Sequence, residues 1–272
     1  MASGALSRGL AVLETLIGQS NGLALTRIAE IVELPKSAAH RILTNLIEDG
    51  YVRQDERSGN YGLTLKVVSL GLRHLASSTI SDAARPVIAR LATESGQLVR
   101  LALVDGEHLI WVAKAQGARS GLRYDPDPDH GTSIPLAESA TGLAWLTTFS
   151  DDEAMRLVAR QEDRRIRPPG HNAPKTLAET LERLHEAREI GWARVHDSNE
   201  EGISAMAAPL TDPDSGLSLG AVSIAGPSVQ LTDVRMEELA HALQRTVDEL
   251  SGLAASLAVE FRDKRTPAER ID

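Results

Sequence analysis

Several residue types are missing or scarce in this chain, and each absence excludes a class of site. None of the 272 residues is cysteine, so disulfides, thiolate nucleophiles and cysteine-based zinc or iron–sulfur sites are excluded. Aromatic residues make up 3% of the chain, which argues against stacking platforms for bases, flavins or sugars. No run approaches the ~18 apolar residues of a membrane-spanning helix. The first residues lack a signal-peptide pattern, so we expect a cytoplasmic protein without a membrane partner.

Sequence signatures of catalysis are also missing. The chain contains neither a Gly-x-Ser-x-Gly nucleophile turn nor a His-Glu-x-x-His zinc pair, and its eight histidines are scattered. The run at 124–131 (YDPDPDHG) places three aspartates beside a histidine, but its alternating prolines prevent the curled loop that wraps calcium. We therefore expect no enzyme activity, no catalytic residue, no metal site and no cofactor.

Charge is unevenly distributed along the chain. The net charge is -9, which as an average argues against binding to nucleic acid. Residues 1–66 are nevertheless balanced, with seven basic and seven acidic side chains, whereas the remainder holds 22 basic against 31 acidic ones. The sequence therefore predicts two parts of different charge. The first part carries no excess of negative charge, so the phosphates of DNA do not repel it as the net charge of the whole chain suggests.

The first part has the pattern of short helices followed by a hairpin. A first helix is predicted over 6–19, with one apolar face formed by Leu6, Leu10, Leu13 and Ile17. A second is predicted over 26–32 with Thr26 as N-cap, and a third over 36–48 after Pro35. Short strands at 51–53 and 61–63, joined by a turn-rich segment, complete a winged helix-turn-helix pattern.

The third predicted helix has the size of a helix that enters the major groove of DNA, and its outward side chains are polar. Lys36 and Ser37 are placed to hold a phosphate. His40, Arg41 and Thr44 are placed to reach base edges. The predicted DNA-binding residues are Arg8, Thr26, Arg27, Lys36, Ser37, Ala39, His40, Arg41, Thr44 and, at the wing tip, Arg57. The alternative is a helical protein-interaction module, in which Arg41 is a solvated charge and Arg27 pairs with Glu30.

Four segments of this part follow one another in the order known from a family. They are 7–13 (SRGLAVL), 34–43 (LPKSAAHRIL), 50–52 (GYV) and 61–63 (YGL). Together they resemble the DNA-binding domain of the IclR family of bacterial transcriptional regulators. The resemblance implies double-stranded operator DNA as a partner, and a homodimer or a dimer of dimers as the assembly.

The second part mixes helical and strand-like patterns. Residues 64–77 continue as a helix that acts as a linker, as a dimer contact or as both, and a helix over 81–95 follows. Strand-like runs at 97–104, 108–115, 192–196, 203–210 and 217–225 are separated by helices over 139–148, 151–160 and 176–190, and a helix over 232–258 follows. We predict an α+β domain on a five- or six-stranded antiparallel sheet, large enough to hold a ligand pocket. The basic run at 164–167 is expected on a solvated loop.

Segments 131–144, 202–209 and 221–227 resemble the effector domain of the same family. This implies a GAF-like domain whose pocket faces one side of the sheet and binds a small organic acid, for which hydroxyls, N–H groups or an arginine are needed. The predicted effector-binding residues are Leu122, Arg123, Ile134, Ser139, Ala140, Thr141, Gly142, Asp197, Ala205 and Ser223. Two pairs of alternatives stay open. The alanines of these segments indicate either a large pocket or tight packing of helix against sheet. Asp197 either accepts a hydrogen bond from a ligand hydroxyl or hydrogen-bonds the adjacent loop.

The pattern as a whole predicts an α+β chain. It consists of a winged helix-turn-helix domain at 1–65, a linker helix at 66–79, a GAF-like antiparallel-sheet effector domain at 80–260 and a charged tail at 261–272. We expect a sequence-specific transcriptional regulator, acting as a repressor, whose operator affinity responds to a small organic acid. The alternatives are an activator of a catabolic operon and an adaptor that does not bind DNA.

Overall fold

A computed structural model describes residues 4–77, 80–126, 134–161 and 168–262 of the chain. The chain divides into two compact units, with the boundary between residues 78 and 79. Most of the aspartate-rich run at 124–131, the basic run at 164–167 and the last ten residues of the charged tail lie outside the described residues. The domain boundaries at 65 and 260 stay predictions.

The first unit is a helical bundle followed by a β-hairpin. Its elements are α1 (Ala5–Leu16), α2 (Leu25–Ile31), α3 (Lys36–Glu48), β1 (Val52–Gln54), β2 (Tyr61–Leu63) and α4 (Leu65–Ser77). The two strands pair antiparallel, with Arg53 opposite Gly62, and form the wing. The predicted winged helix-turn-helix fold is confirmed, and helix α3 has the predicted bounds.

The core of the first unit corrects the predicted face of α1. Leu6, Leu10 and Ile17 are 77%, 50% and 62% exposed and do not face the core, whereas Leu13, the fourth residue of the predicted face, is partly buried and packs against it. The buried residues of α1 are instead Val12 and Leu16, which are four positions apart and pack with residues of α2, α3 and the hairpin. The predicted apolar spacing was therefore real, but a second, shorter stripe on the same helix fills the core.

The start of α2 also differs from the prediction. Its N-cap residue is Ala24, which makes no side-chain capping hydrogen bond, and Thr26 lies inside the first helical turn. Thr26 therefore does not cap this helix.

The second unit is built on an antiparallel sheet. Its elements are α5 (Ile80–Ser95), β3 (Leu98–Asp105), β4 (His108–Gln116), α6 (Ala140–Leu146), α7 (Asp151–Arg160), α8 (Leu177–Ile190), β5 (Ala193–His196), β6 (Ile203–Thr211), β7 (Ser218–Pro227) and α9 (Asp233–Arg262). Within the described ranges the sheet has five strands, in the order β4-β3-β7-β6-β5. The predicted α+β fold with an antiparallel sheet is confirmed.

Helices cover both faces of this sheet. Successive side chains of a strand point to opposite sides, so each face packs its own set of residues against the helices. On one face, large apolar residues of β3, β6 and β7 pack against α5 and α9, as Val222 does with Ile88 and Leu243 in one cluster. On the other face, small residues such as Ala207 and Ala221 pack against Ala140 and neighbouring residues of α6. The second face is therefore lined by short side chains. None of the described helices is long and apolar enough to cross a lipid bilayer.

Candidate DNA-binding surface and effector site

Helix α3 presents a continuous polar face. The helix begins after Pro35, whose carbonyl oxygen accepts hydrogen bonds from the backbone N–H groups of Ala38 and Ala39. Its exposed, predicted DNA-binding side chains are those of Lys36, Ser37, His40, Arg41 and Thr44. Ala39 corrects the predicted set, because it is fully buried on the core side of α3 and its side chain is closed to DNA.

The remaining predicted DNA-binding residues of the first unit are all exposed. Arg8 lies on α1, Thr26 and Arg27 lie in the first turn of α2, and Arg57 lies at the tip of the wing. Arg27 donates through Nη1 to Glu30 Oε2 at 3.3 Å, which is the ion pair foreseen as the alternative role for this arginine. Both side chains of that pair are mostly exposed, so the pair is weak and open to exchange for a phosphate.

The tip of the wing is held by Asp55. Its Oδ1 atom accepts hydrogen bonds from the backbone N–H groups of Arg57 and Ser58, at 3.1 and 2.8 Å, and from the Ser58 hydroxyl at 2.9 Å. These hydrogen bonds, with that from the Ser58 N–H as the largest contribution, lower the pKa of Asp55. Sequence reasoning missed this residue, although an aspartate followed three positions later by serine is typical of such a turn. The turn fixes the backbone that carries Arg57.

A cleft of about 620 Å³, lined by both polar and apolar residues, lies in the first unit beside the wing. Gln19, Asn21, Arg53, Asn60 and other residues from the end of α1 and from the hairpin line it. This cleft is therefore not the predicted effector pocket, whose residues belong to the second unit.

The predicted effector residues around the start of α6 are buried and serve the local structure. Ser139 is the N-cap residue: its Oγ atom accepts a hydrogen bond from the Gly142 N–H at 2.9 Å and donates to the Pro135 carbonyl. A Cβ atom on Gly142 would lie 2.5 Å from the backbone of Leu136, so only glycine fits this contact. Ala140 and Thr141 are buried in the same turn. The Gly142 N–H is therefore already used within the protein.

Ile134 and Asp197 also have structural partners. Ile134 is buried in a cluster with the indole of Trp145, and its N–H donates to the Leu109 carbonyl at 3.1 Å. Asp197, at a φ of 49°, accepts hydrogen bonds from the Gly202 N–H at 2.7 Å and from the Ser228 hydroxyl at 3.0 Å. This geometry favours the second of the two roles considered for Asp197, in which it holds the loop between β5 and β6.

Leu122 and Arg123 follow strand β4 and lie at the surface. The side chain of Leu122 is mostly exposed, and Arg123 forms a surface ion pair with Asp125 at 3.0 Å. The structure does not bring these two residues onto the buried face of the sheet.

Ala205 and Ser223 lie on the sheet face that α6 covers. Ala205 pairs with Ala225, which is two positions from Ser223 on β7 and so points to the same side. Ser223 is 1% exposed, and its Oγ atom has no hydrogen-bond partner within the residues that the structure describes. Among the predicted effector residues, this serine has the strongest physical reason to bind a ligand, because a buried hydroxyl without a partner is costly.

Arg100 is a buried charged residue that the sequence analysis did not single out. It lies on β3 directly opposite Ser223 of β7 and is 8% exposed. The central carbon of its guanidinium group lies 4.0 Å from the ring centroid of Trp111 and 5.8 Å from that of Tyr124. The signal in the sequence was a single charge inside the apolar strand LVRLALV.

Elsewhere in the second unit, carboxylates that pair with histidine or arginine side chains have structural roles. His171 Nδ1 lies 2.8 Å from both carboxylate oxygens of Glu201, and this contact raises the pKa of His171 and lowers that of Glu201. Asp151 accepts hydrogen bonds from Arg188 and His185, which lower its pKa. Over the part of the chain that the structure covers, no three histidine, aspartate or glutamate side chains meet as a metal site.

Comparison with known proteins places this geometry in a family. The family model of the IclR helix-turn-helix domain matches residues 5–56, and that of the bacterial transcriptional regulator IclR C-terminal domain matches residues 72–252. The chain belongs to the IclR family. Its members are DNA-binding transcriptional regulators without enzyme activity, so the resemblance and the predicted absence of catalysis are confirmed.

Individual relatives resemble this IclR-family chain over most of its length. The DNA-binding transcriptional repressor YiaJ of Escherichia coli K12 is 29% identical over 249 residues, which cover 92% of this chain and 87% of YiaJ. An IclR transcriptional regulator from Silicibacter sp. TM1040 has the same fold, with a TM-score of 0.73, 23% identity and coverage of 93% and 96%. An IclR homologue from Microbacterium hydrocarbonoxydans, complexed with 4-hydroxybenzoate, gives a TM-score of 0.72 at 17% identity, with coverage of 92% and 98%.

Proposed function

We propose that this protein is a sequence-specific transcriptional repressor whose affinity for its operator is modulated by a small organic acid. The observation that carries the DNA-binding half of the proposal is the exposed polar face of α3 together with Arg57 on the wing. Lys36 and Ser37 at the start of α3 contact phosphate, and His40, Arg41 and Thr44 face the base edges. Repression is supported by the similarity to YiaJ, which is named a repressor.

We propose further that the protein acts as a homodimer or as a dimer of dimers. One winged domain reads one half-site, and two are needed for useful specificity. The exposed apolar residues of the first unit support this assembly: Leu6 and Leu10 on α1, and Leu65 and Val68 on α4. Exposed leucines at helical spacing are a typical surface for a second copy of the chain.

The effector half of the proposal is supported by the face of the sheet under α6. That face combines small apolar residues with a buried serine hydroxyl that lacks a described partner. The homologue complexed with 4-hydroxybenzoate carries a ligand of the proposed class. For control of DNA binding, the acid must bind unequally to two arrangements of the protein, and the difference in binding free energy then shifts operator affinity.

Selection from a random duplex library tests the DNA-binding proposal. Purified protein selects a recurrent sequence, and fluorescence anisotropy is then measured for that duplex and for a scrambled one over a series of salt concentrations. We expect the selected duplex to bind at least about a thousandfold more tightly, with an affinity that falls as salt rises. Equal affinity for both duplexes, or no binding at low salt, would favour the adaptor role and contradict the proposal.

Repression is tested separately, with the selected sequence placed upstream of a reporter gene. We expect reporter output to fall when the protein is expressed. An increase would assign the protein to activation instead.

A further inference from the structure

We infer that Thr64 and Lys66 are positioning residues for DNA recognition, which fasten the end of helix α3 to the start of helix α4 so that the two helices move as one body. The inference rests on the proposed DNA binding by α3 and adds a joint behind that surface. The joint consists of residues 49–51 and 64–66. The observation that carries it is a set of three hydrogen bonds from Thr64 and Lys66 to the successive carbonyl groups of residues 49–51.

The first step of the argument concerns how α3 ends. Gly50, at a φ of 74°, directly follows the C-cap residue Asp49. Its N–H group donates to the Ile47 carbonyl at 2.9 Å, and the N–H group of Tyr51 donates to the Leu46 carbonyl at 2.8 Å. This is a Schellman motif, which stops a helix and satisfies the carbonyl groups of its last turn. The carbonyl groups of residues 49–51 lie beyond that turn and need donors from elsewhere.

The second step is that Thr64 and Lys66 supply these donors. Thr64 donates twice, through its hydroxyl to the Gly50 carbonyl at 2.6 Å and through its N–H to the Tyr51 carbonyl at 2.9 Å. Lys66 Nζ donates to the Asp49 carbonyl and lies 4.3 Å from the centroid of the Tyr51 ring, which is a cation–π contact. Two residues therefore hold three consecutive carbonyl groups at the end of α3.

The third step is that the same two residues begin α4. Thr64 directly precedes Leu65, the first residue of α4, and its hydroxyl oxygen accepts a hydrogen bond from the Lys66 N–H at 3.2 Å. This is the role of an N-cap residue. One hydroxyl group thus caps α4 while it donates to the end of α3. A change in the direction of α4 breaks these hydrogen bonds unless α3 follows it.

Charge gives an independent reason for the position of Lys66. The last turn of α3 contains no basic residue, and Glu48 and Asp49 place negative charges at this end, where the helix dipole favours positive ones. A lysine in the first turn of α4 is unfavourable for α4 itself, because that end of a helix favours negative charge. The ammonium group of Lys66, however, lies at the end of α3 and supplies the cation that α3 lacks.

Spin labels test the joint itself, and the cysteine-free chain allows them to be placed at chosen positions. Asn45→Cys on α3 and Arg73→Cys on α4 place one label on each helix at exposed positions, and an excess of unlabelled protein suppresses distances between copies. We expect a narrow distribution of label distances when the joint is intact. Thr64→Val and Lys66→Met should each broaden it, whereas Thr64→Ser and Lys66→Arg, which keep the donor, should preserve it.

Binding to the selected duplex tests the consequence for recognition, at temperatures well below the Tm of each variant. When α3 takes several orientations, the apparent affinity falls in proportion to the fraction of molecules that can bind. We expect Thr64→Val and Lys66→Met to bind at least about threefold more weakly, and Thr64→Ser and Lys66→Arg to bind as the wild type does. The salt slope should not change, because a positioning residue contacts no phosphate.

Thr15→Val is the matched control. Thr15 is a partly buried threonine of the first unit, and its hydroxyl donates to the Ala11 carbonyl within α1 at 2.8 Å, away from the joint. This variant should leave both the label distances and the affinity for the selected duplex unchanged. Equal losses in Thr15→Val and Thr64→Val would contradict a specific role of the joint.

The outcomes separate this inference from the proposed DNA binding. Label distances that stay narrow in Thr64→Val and Lys66→Met, or wild-type affinity of both variants for the duplex, would overturn the inference. A salt slope that falls by about 1 in Lys66→Met would also overturn it, because Lys66 would then contact a phosphate directly. If the wild-type protein selects no duplex, the proposed DNA binding fails and so does the role in recognition, while the label distances still decide whether α3 and α4 move together.

Discussion

For single side chains, the clearest predictions concern Arg41 and Arg57. Both are exposed, on α3 and on the wing. We expect Arg41→Ala to lower affinity for the selected duplex by a factor of about 5 to 150, because a base contact is worth about 1–3 kcal/mol. Arg57→Ala should weaken all duplexes alike and reduce the salt slope by about 1 if it contacts phosphate.

The control for these two variants is Arg245→Ala on α9, an exposed arginine of the second unit paired with Glu94. It should leave both affinity and salt slope unchanged. If Arg41→Ala and Arg57→Ala bind the selected duplex with wild-type affinity, the proposed DNA-binding surface is wrong.

His171 makes the stability of the second unit depend on pH. Its pKa is raised by the hydrogen bond to Glu201, so the stabilisation is fully present below the unfolded pKa of about 6.5 and is lost as pH rises through the folded pKa. We expect His171→Gln to lower the Tm at pH 5.5 and to have no effect at pH 9. Because both side chains are mostly exposed, the effect is small.

Thermal unfolding from pH 5.5 to 9 checks this, with His241→Gln, an exposed histidine of α9, as the control. A Tm difference between wild type and His171→Gln that stays constant or grows with pH would show that the Glu201 contact does not stabilise the fold.

Single residues also show what sequence can and cannot reveal. The exposure of Lys36 and Arg41 was predictable, because helical spacing assigns each position of α3 to the buried or the exposed side. The partner of Asp197 was not, because a hydrogen bond from Ser228 joins residues 31 positions apart. Arg100 left a trace in the sequence, a charge in an apolar strand, but its aromatic neighbours come from β4 and the segment after it.

At the scale of elements, helix α6 depends on a close approach to the preceding loop. A Cβ atom at position 142 would meet the Leu136 backbone at 2.5 Å, and backbone atoms there cannot move aside as a side-chain end would. We expect Gly142→Ala to lower the free energy of unfolding of the second unit by about 1–3 kcal/mol. Denaturant unfolding measures this value.

Gly252→Ala on α9 is the matched control, because among the described residues a Cβ atom there meets nothing within 4 Å. Alanine is the better helix former, so this variant should keep or raise stability by up to about 1 kcal/mol. Equal stability of the Gly142→Ala and wild-type proteins would mean that α6 moves to accommodate the Cβ atom without a loss of unfolding free energy.

Helices α1 and α4 are expected to mediate assembly. Leu10 and Leu65 are exposed apolar residues, and the double variant Leu10→Glu/Leu65→Glu places charges on the proposed contact. We expect this variant to sediment as a smaller species and to lose at least about tenfold in affinity for the selected duplex, because a lone winged domain reads one half-site. Val229→Glu, at an exposed valine of the second unit, is the control. An unchanged sedimentation coefficient of the double variant would exclude these helices from the interface.

The elements were largely predictable, and so was the exposed face of α3, but the core-facing side of α1 was not. Periodicity located α3 and the strands of the sheet because apolar spacing is a local property. The same rule wrongly assigned Leu6 and Leu10 of α1 to the core, because they form as regular a stripe as Val12 and Leu16. A stripe that faces another molecule and a stripe that faces the core look alike in sequence, and tertiary packing decides between them.

In the molecule as a whole, we propose that a DNA-binding unit and a unit that binds an acid are energetically coupled. Coupling of this kind changes affinity about 5- to 150-fold and is reciprocal: the acid alters affinity for DNA by the same factor by which DNA alters affinity for the acid.

The most direct measurement is the dissociation constant for the selected duplex, determined with and without a saturating concentration of whichever acid binds the wild-type protein. We predict that the acid changes this constant at least about fivefold, and that its amide at the same concentration does not. An acid that binds tightly while the affinity for DNA stays the same would contradict the proposed coupling of the two units.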